Sequence, residues 1–260
     1  MGCCNEVEEE NFILAEFWID EDHINEKTQI INSFDNIQRK IKKEDKEGEK
    51  YRIERNIKQC EIKVDGEVIS FTYEYEFKTS GKHTVIYNFP ETLTQTSYLF
   101  CNCSSIKKVD LSHFNTKNLT CTNYMFMNSG IESVIFFKSK ILKVTEMIGM
   151  FISCTKMKDF FNLSKLKAET SINMDYFFSN CDELENVDLS NLKAKVISMK
   201  SMFYFCKLLK KVNISNLDSK DANINDIFMG CYLLIKENVI TKDQNILNKF
   251  EQIVGPSYFS

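Results

Sequence analysis

The side chains able to do chemistry are few and dispersed. The three histidines, His23, His83 and His113, fall in different parts of the chain, and none stands in a recognisable nucleophile motif with a Ser, Cys or carboxylate. No constellation of acid, base and nucleophile can be assembled, so the chain reads as a non-enzyme. Neither G-x-G-x-x-G nor G-x-x-x-x-G-K occurs, which removes the glycine-rich phosphate cradle and predicts no cofactor. Among the ten cysteines, Cys101-x-Cys103 lacks the usual zinc-ligand spacing and no second Cys or His pair completes a set, so no metal is expected. One modification site stands apart: Gly2 is placed for acylation beside Cys3 and Cys4, two thiols open to palmitoylation. A single myristoyl chain holds a membrane only reversibly, so the thiols would supply the second signal. The following Glu6, Glu8, Glu9 and Glu10 would be repelled by an anionic leaflet. Glu6 also stands where Ser or Thr is preferred, and an unmodified terminus is the alternative.

These residues must be held by something, and the composition says what kind of scaffold is available. With 260 residues, 43% of them hydrophobic, and only 2 Pro and 8 Gly, the chain can bury a real core and is neither collagenous nor linker-like. A net charge of −4, from 33 basic and 37 acidic side chains, argues against nucleic acid as a partner. No apolar stretch approaches the roughly 20 residues of a membrane-spanning helix. The first ten residues carry four Glu and no Lys or Arg, unlike a secretory signal. A cytoplasmic chain is therefore expected, on the cytoplasmic face of a membrane if acylated, with reduced thiols.

The scaffold itself is repetitive. Phe100, Phe126, Phe151, Phe178, Phe203 and Phe228 are separated by 26, 25, 27, 25 and 25 residues. Three residues after each stand Cys103, Ser129, Cys154, Cys181, Cys206 and Cys231. Runs such as Val109-Asp110-Leu111-Ser112, Val187-Asp188-Leu189-Ser190 and Val212-Asn213-Ile214-Ser215 follow, each alternating in and out as a short strand does. Tyr124-Met125-Phe126 and Ser201-Met202-Phe203 have the spacing of a short helical return. One such unit cannot bury its apolar face alone, so copies must stack into a solenoid. The expected fold class is α/β: a leucine-rich-repeat-like solenoid of short parallel strands and short helical returns, preceded by a small β-rich domain. The file of cysteines would then fill one core slot in successive turns, although the roughly 4.8 Å between stacked strands also approaches disulfide reach.

In detail the repeat resembles the BspA-like leucine-rich-repeat surface protein family. The resemblance is carried by residues 98–106, by Val109-Asp110-Leu111-Ser112-His113-Phe114-Asn115-Thr116 and by Tyr176-Phe177-Phe178-Ser179-Asn180-Cys181, and it spans residues 98 to about 235. Copy 2 departs most, with Ser129 for Cys and Ile135-Phe136-Phe137 in the strand; copy 3 has an extra residue near Phe160-Phe161. The family implies a binding or adhesion surface and supplies no catalytic residue.

The flanks should cap the stack. Residues 12–92 read as the β-rich domain, with a strand from Phe12 to Ile19, a hairpin about Asp65-Gly66 continuing as near alternation to Phe77, and a strand over 83–89. The charge-dense residues 38–58 read as a solvated face, and residues 1–11 as a flexible terminus. Residues 98–240 hold six turns, and 241–260 a closing helix with Ile246, Leu247, Phe250, Ile253 and Val254 on one face. Four N-x-S/T sequons, at Asn102, Asn118, Asn162 and Asn213, recur mostly at repeat positions.

Between the core positions of each strand the outward residues are Lys108, Asp110, Asp159, Asn186, Asp188, Lys211 and Asn213. This mixed-charge ladder suits a protein or peptide partner of complementary charge, and equally it is the polar surface any strand needs for solubility. The expected function is a non-enzymatic protein–protein interaction module, tethered to a membrane where the N-terminus is acylated. An exported cell-surface adhesin and an enzyme regulator using the groove between the two modules stand as alternatives.

Overall fold

The computed structural model describes residues 11–33, 54–138, 141–161, 167–168 and 170–253. The acylation candidates Gly2, Cys3 and Cys4, most of the charge-dense segment 38–58, the Asn162 sequon, and Val254 onward lie outside the described residues. The N-terminal strands are β1 (Phe12–Ile19), β2 (Lys27–Gln29), β3 (Glu61–Val64), β4 (Glu67–Ile69), β5 (Glu74–Glu76) and β6 (Gly81–Asn88). The repeats contribute β7 (Ile106–Asp110), β8 (Ser133–Ile135), β9 (Ile141–Leu142), β10 (Asp159–Phe161), β11 (Lys167–Ala168) and β12 (Ile172–Asn173). They continue through β13 (Asn186–Asp188), β14 (Ala194–Ser198), β15 (Lys211–Asn213), β16 (Leu217–Asp218) and β17 (Val239–Ile240), before helix α1 (Gln244–Ile253). No helix among the described residues is long and apolar enough to cross a membrane.

The described repeat residues form a β-solenoid of short strands and turns, with five coils between six returns. Its first strand side is the parallel series β7, β8, β10, and then β13, β15, β17. A second side is built from β9 with β11, and from β12, β14 and β16. In copy 2 the strand is Ser133-Val134-Ile135, and Phe136 and Phe137 follow it as buried residues.

The returns are not the short helices expected from their spacing. Each carries two residues of positive φ four positions apart, at 98 and 102, 124 and 128, 149 and 153, 176 and 180, 201 and 205, and 226 and 230. Such residues cannot continue a right-handed helix; positive φ is what the third position of a type II turn demands. Local turns close through Leu99 N to Thr96 O (3.2 Å) and Cys103 N to Phe100 O (3.3 Å). The alternate amides leave the coil and reach the next one, as Tyr98 N to Asn123 O (3.0 Å), Phe100 N to Met125 O (2.8 Å) and Asn102 N to Met127 O (2.9 Å). A helix would spend every amide within its own coil, whereas this backbone divides them between turn closure and stacking. The fold class is therefore corrected from α/β to β-solenoid.

The repeat period becomes a spine. Consecutive Phe rings stack at centroid distances of 5.6, 5.3, 5.6, 5.9 and 5.6 Å, with interplanar angles of 15° or less, from Phe100 to Phe228. Beside them the thiols donate to the Phe carbonyl of the preceding coil: Cys154 Sγ to Phe126 O (2.9 Å), Cys181 Sγ to Phe151 O (3.2 Å), Cys206 Sγ to Phe178 O (2.9 Å) and Cys231 Sγ to Phe203 O (2.9 Å). This explains Cys over Ala at that position: a small apolar body with one weak donor fits a slot facing a carbonyl. The described cysteines are all free thiols.

The N-terminal strands close the first coil. One sheet runs β10-β8-β7-β1-β6-β3-β4, in which β1 lies antiparallel between β6 and β7. The parallel stack thus continues directly into an antiparallel sheet, and the edge of β7 is paired rather than exposed. The carbonyls of Leu99 and Cys101 receive Asn32 N (2.9 Å) and Gln29 Nε2 (2.8 Å). In the next return the corresponding carbonyls, Met125 O and Met127 O, accept amides from the coil before, so the N-terminal segment takes the place of an earlier coil. The Tyr87 ring meets Phe100 edge-on at 5.3 Å, ending the spine. The alternation over 68–77 is split between two sheets: β4 pairs with β3 across Asp65-Gly66, both with positive φ, while β5 pairs with β2.

Candidate binding face

The outward strand positions are ordered by register. Across β7, β8 and β10, Lys108 stands opposite Ser133 and Ser133 opposite Asp159, while Asp110 stands opposite Ile135. Across β13, β15 and β17, Asn186 stands opposite Lys211, and Asp188 opposite Asn213, which faces Ile240. Asp159, Asn186, Asp188 and Lys211 are exposed, and Lys108, Asp110 and Asn213 half-buried. The structure thus brings the seven residues into two groups; no strand pairing joins β10 to β13 among the described residues.

Three of the seven have a structural task. Asp110 Oδ1 accepts Ser112 N (2.7 Å), Asp188 Oδ1 accepts Ser190 N (2.8 Å), and Asn213 Oδ1 accepts Ser215 N (3.3 Å). Each is the side-chain turn by which Asp or Asn replaces a backbone acceptor two residues before the donor, and it ends the strand. The bond to Ser190, assisted by Asn213 and Lys211, holds the Asp188 carboxyl below its ordinary range. Among the described residues the side chains of Lys108, Asp159 and Asn186 show no hydrogen bond or ion pair, and Lys211 acts on the Asp188 carboxyl only through its charge, leaving the four available to a partner.

Just before the strands lies a feature that the alternation pattern did not reveal. Lys107 pairs with Glu132 (3.1 Å), Glu132 with Lys158 (4.0 Å), and Lys158 and Lys156 with Glu183 (3.4 and 3.0 Å). Asp182 pairs with Lys207 (3.2 Å) and Glu185 with Lys210 (2.8 Å). Charge therefore alternates from coil to coil, bridging the gap between β10 and β13. The hydrogen bond from Lys156, with help from Lys158, lowers the Glu183 carboxyl. The signal was present in the sequence, since Lys107, Lys158, Glu185 and Lys210 each stand four residues after the repeat Cys, and in the second copy Glu132 stands three after Ser129, so the sign alternates from copy to copy. Exposed pairs of this kind contribute about 0–1 kcal/mol each, so they set register more than stability.

The histidines and cysteines are placed by packing. His83, buried, contacts Asp65 Oδ2 through Nδ1 (2.6 Å) and Thr79 O through Nε2 (2.8 Å), tying two turns together. His113 stacks on Phe12 at 4.5 Å, and exposed His23 lies 4.0 Å from Asp20. Burial pushes the Cys154 and Cys206 thiols up to about 12, away from thiolate chemistry. Cys121, half-buried, is raised by burial and lies 3.6 Å from Glu146 Oε2. Among the described residues no group of three or more His, Cys, Asp and Glu is placed to hold a metal ion.

No curated protein and no solved structure matches the chain. Residues 82–158 and 133–240 both match one family, and together these segments span more than half of the 260 residues, the same stretch in which rings, thiols and turns recur. The chain belongs to the family described as Mycoplasma protein of unknown function, DUF285.

Proposed function

We propose that the chain is a non-enzymatic protein–protein interaction module of the BspA-like leucine-rich-repeat type, held at the cytoplasmic face of a membrane by acylation of Gly2 with Cys3 or Cys4. The observation that carries the binding reading is the set Lys108, Asp159, Asn186 and Lys211: outward, charged or polar, aligned by strand register, and spared the structural pairing that engages their neighbours. A row of outward residues on stacked coils is the extended surface that solenoids offer to protein and peptide targets. Complementary charge across such a face steers encounter and fixes register. The mixed signs, Lys108 and Lys211 against Asp159, suit a partner segment that is itself mixed in charge.

The decisive variant leaves the turn residues intact. Lys108→Glu combined with Lys211→Glu should abolish association with a partner purified from the native cell, measured directly by calorimetry, while the unfolding midpoint stays within a few degrees of the parent. Unchanged affinity would remove this face from consideration. The tether is tested separately: Gly2→Ala should move the protein from the membrane fraction to the soluble one, and an equal distribution of both forms overturns it.

A further inference from the structure

The second strand side gathers several lysines that have no carboxylate partner among the described residues. In the row just before the first-side strands Lys107, Lys156, Lys158, Lys207 and Lys210 each meet a carboxylate of a neighbouring coil, whereas Lys108 and Lys211 within those strands do not. On the second side Lys193 and Lys195, beside and within β14, and Lys220, just after β16, are exposed and pair with no carboxylate among the described residues. Together with Lys242 they line a groove of about 770 Å³ between β14, β16 and the start of α1. That volume lies within the roughly 300–1,000 Å³ of small-molecule sites.

The neutral lining is fixed in place. Asn216 Nδ2 donates to Ser190 O and its Oδ1 accepts Lys242 Nζ (3.2 Å), so one lysine is positioned across three coils. Two carboxylates share the groove. Asp243 is spent: its Oδ1 accepts Asn245 N (2.9 Å) to cap α1, and its Oδ2 accepts Ser219 Oγ (2.7 Å). Asp218 faces Lys195 across the strand pair. Four ammonium groups against two carboxylates leave an excess of positive charge that the fold itself does not use.

We propose that this groove binds a compact ligand carrying two or more phosphate groups. Residues 98–240 contain no arginine, so all the positive charge of the lining comes from lysine ammonium groups and not from planar guanidinium forks. Lysines act as point charges, and several of them converging from successive coils suit a tetrahedral group with acceptors in every direction. Asn216 and Ser219 also line the groove, and Asn216 Oδ1 holds Lys242 Nζ there. The same chemistry is offered by a soluble phosphate compound and by a phosphorylated lipid headgroup. The inference stands independently of the strand-face reading, because the groove lies on the other strand side.

The test uses the full chain. Inorganic pyrophosphate is titrated by calorimetry in one arm; in the other, the protein is sedimented with phosphatidylcholine vesicles with and without phosphatidic acid. Pyrophosphate should bind with a Kd that rises at least about tenfold, or roughly 1.4 kcal/mol, in Lys193→Gln combined with Lys220→Gln. Lys207→Gln, which alters a paired lysine of the first side, should leave the Kd unchanged. Binding of pyrophosphate without vesicle capture assigns a soluble ligand; capture by phosphatidic acid vesicles that pyrophosphate reverses assigns a headgroup. Binding in neither arm, or equal weakening by Lys207→Gln, overturns the proposal. A far-UV spectrum matching the parent establishes that each variant is folded.

Discussion

At the scale of single residues, the repeat turns each side chain into a member of a file whose environment is set by the copies before and after it. The thiols show this most directly. Seven of the described cysteines are buried, and burial drives the Cys154 and Cys206 thiols up to about 12. Native protein at pH 8 should therefore react with a thiol reagent at Cys154 and Cys206 only as fast as the chain unfolds; mass-resolved labelling over a urea series checks this, and fast labelling without denaturant contradicts it. Asp188 gives a pH dependence of known sign. Its carboxyl is depressed in the fold by the bond to Ser190, so its contribution is complete above the unfolded value near 4 and is lost as pH falls through the lower folded value. Between pH 5 and pH 3 the parent should lose more unfolding temperature than Asp188→Asn, which keeps the turn acceptor without the charge. Equal losses would show that the carboxylate does not contribute.

At the scale of the element, the return is where local and tertiary demands meet. The Tyr98 ring stacks on Tyr124 at 5.0 Å, and the Tyr124 ring in turn lies over Gly149, where an added Cβ would sit 2.7 Å from it. Gly149 also has φ +54°, so Gly149→Ala meets both backbone strain and the ring. It should cost about 1–3 kcal/mol, and Tyr124→Ala in the same chain should recover the steric share but not the backbone share. A double-mutant cycle by urea denaturation reads the two apart; strict additivity would mean the ring does not constrain this site. The spacing of apolar residues in the return was legible in the sequence, but its conformation was not. Tyr98, Tyr124, Tyr176, Ser201, Phe205 and Asp226 all hold positive φ without being Gly or Asn. A rule based on turn propensity looks for glycine there, and the coil-to-coil hydrogen bonds that override propensity are invisible from one copy.

At the scale of the molecule, the two ends are finished differently. β7 is paired on both edges, by β1 and β8, whereas among the described residues β17 pairs with β15 alone and α1 follows it. In a chain of nearest-neighbour contacts, stability should decline toward the end with fewer partners. Amide exchange followed by mass spectrometry should thus be slower over 106–110 than over 239–240, and the reverse order would place the weak end at the N-terminus. The same linear logic applies to charge: the ladder from Lys107 to Lys210 is exposed, so raising salt from low to molar should change stability only slightly.

The repeat, its period, the residues that fill its core and the outward alternation of its strands could all be read from residue types and spacing. Each coil repeats the same local demand, so a period of about 26 residues shows a buried file from residue types alone. Tertiary structure alone decided which amides leave their coil, and so made the returns turns rather than helices. It also decided that Asp110, Asp188 and Asn213 close turns, that β1 joins the first coil to the N-terminal sheet, and that Lys107 and Lys210 meet carboxylates of neighbouring coils whereas Lys193 and Lys220 line a groove. The physical reason is one of distance: a side chain's own segment sets whether it points in or out, but its partners belong to the next coil, some 25 residues away, where only stacking brings them within hydrogen-bonding reach.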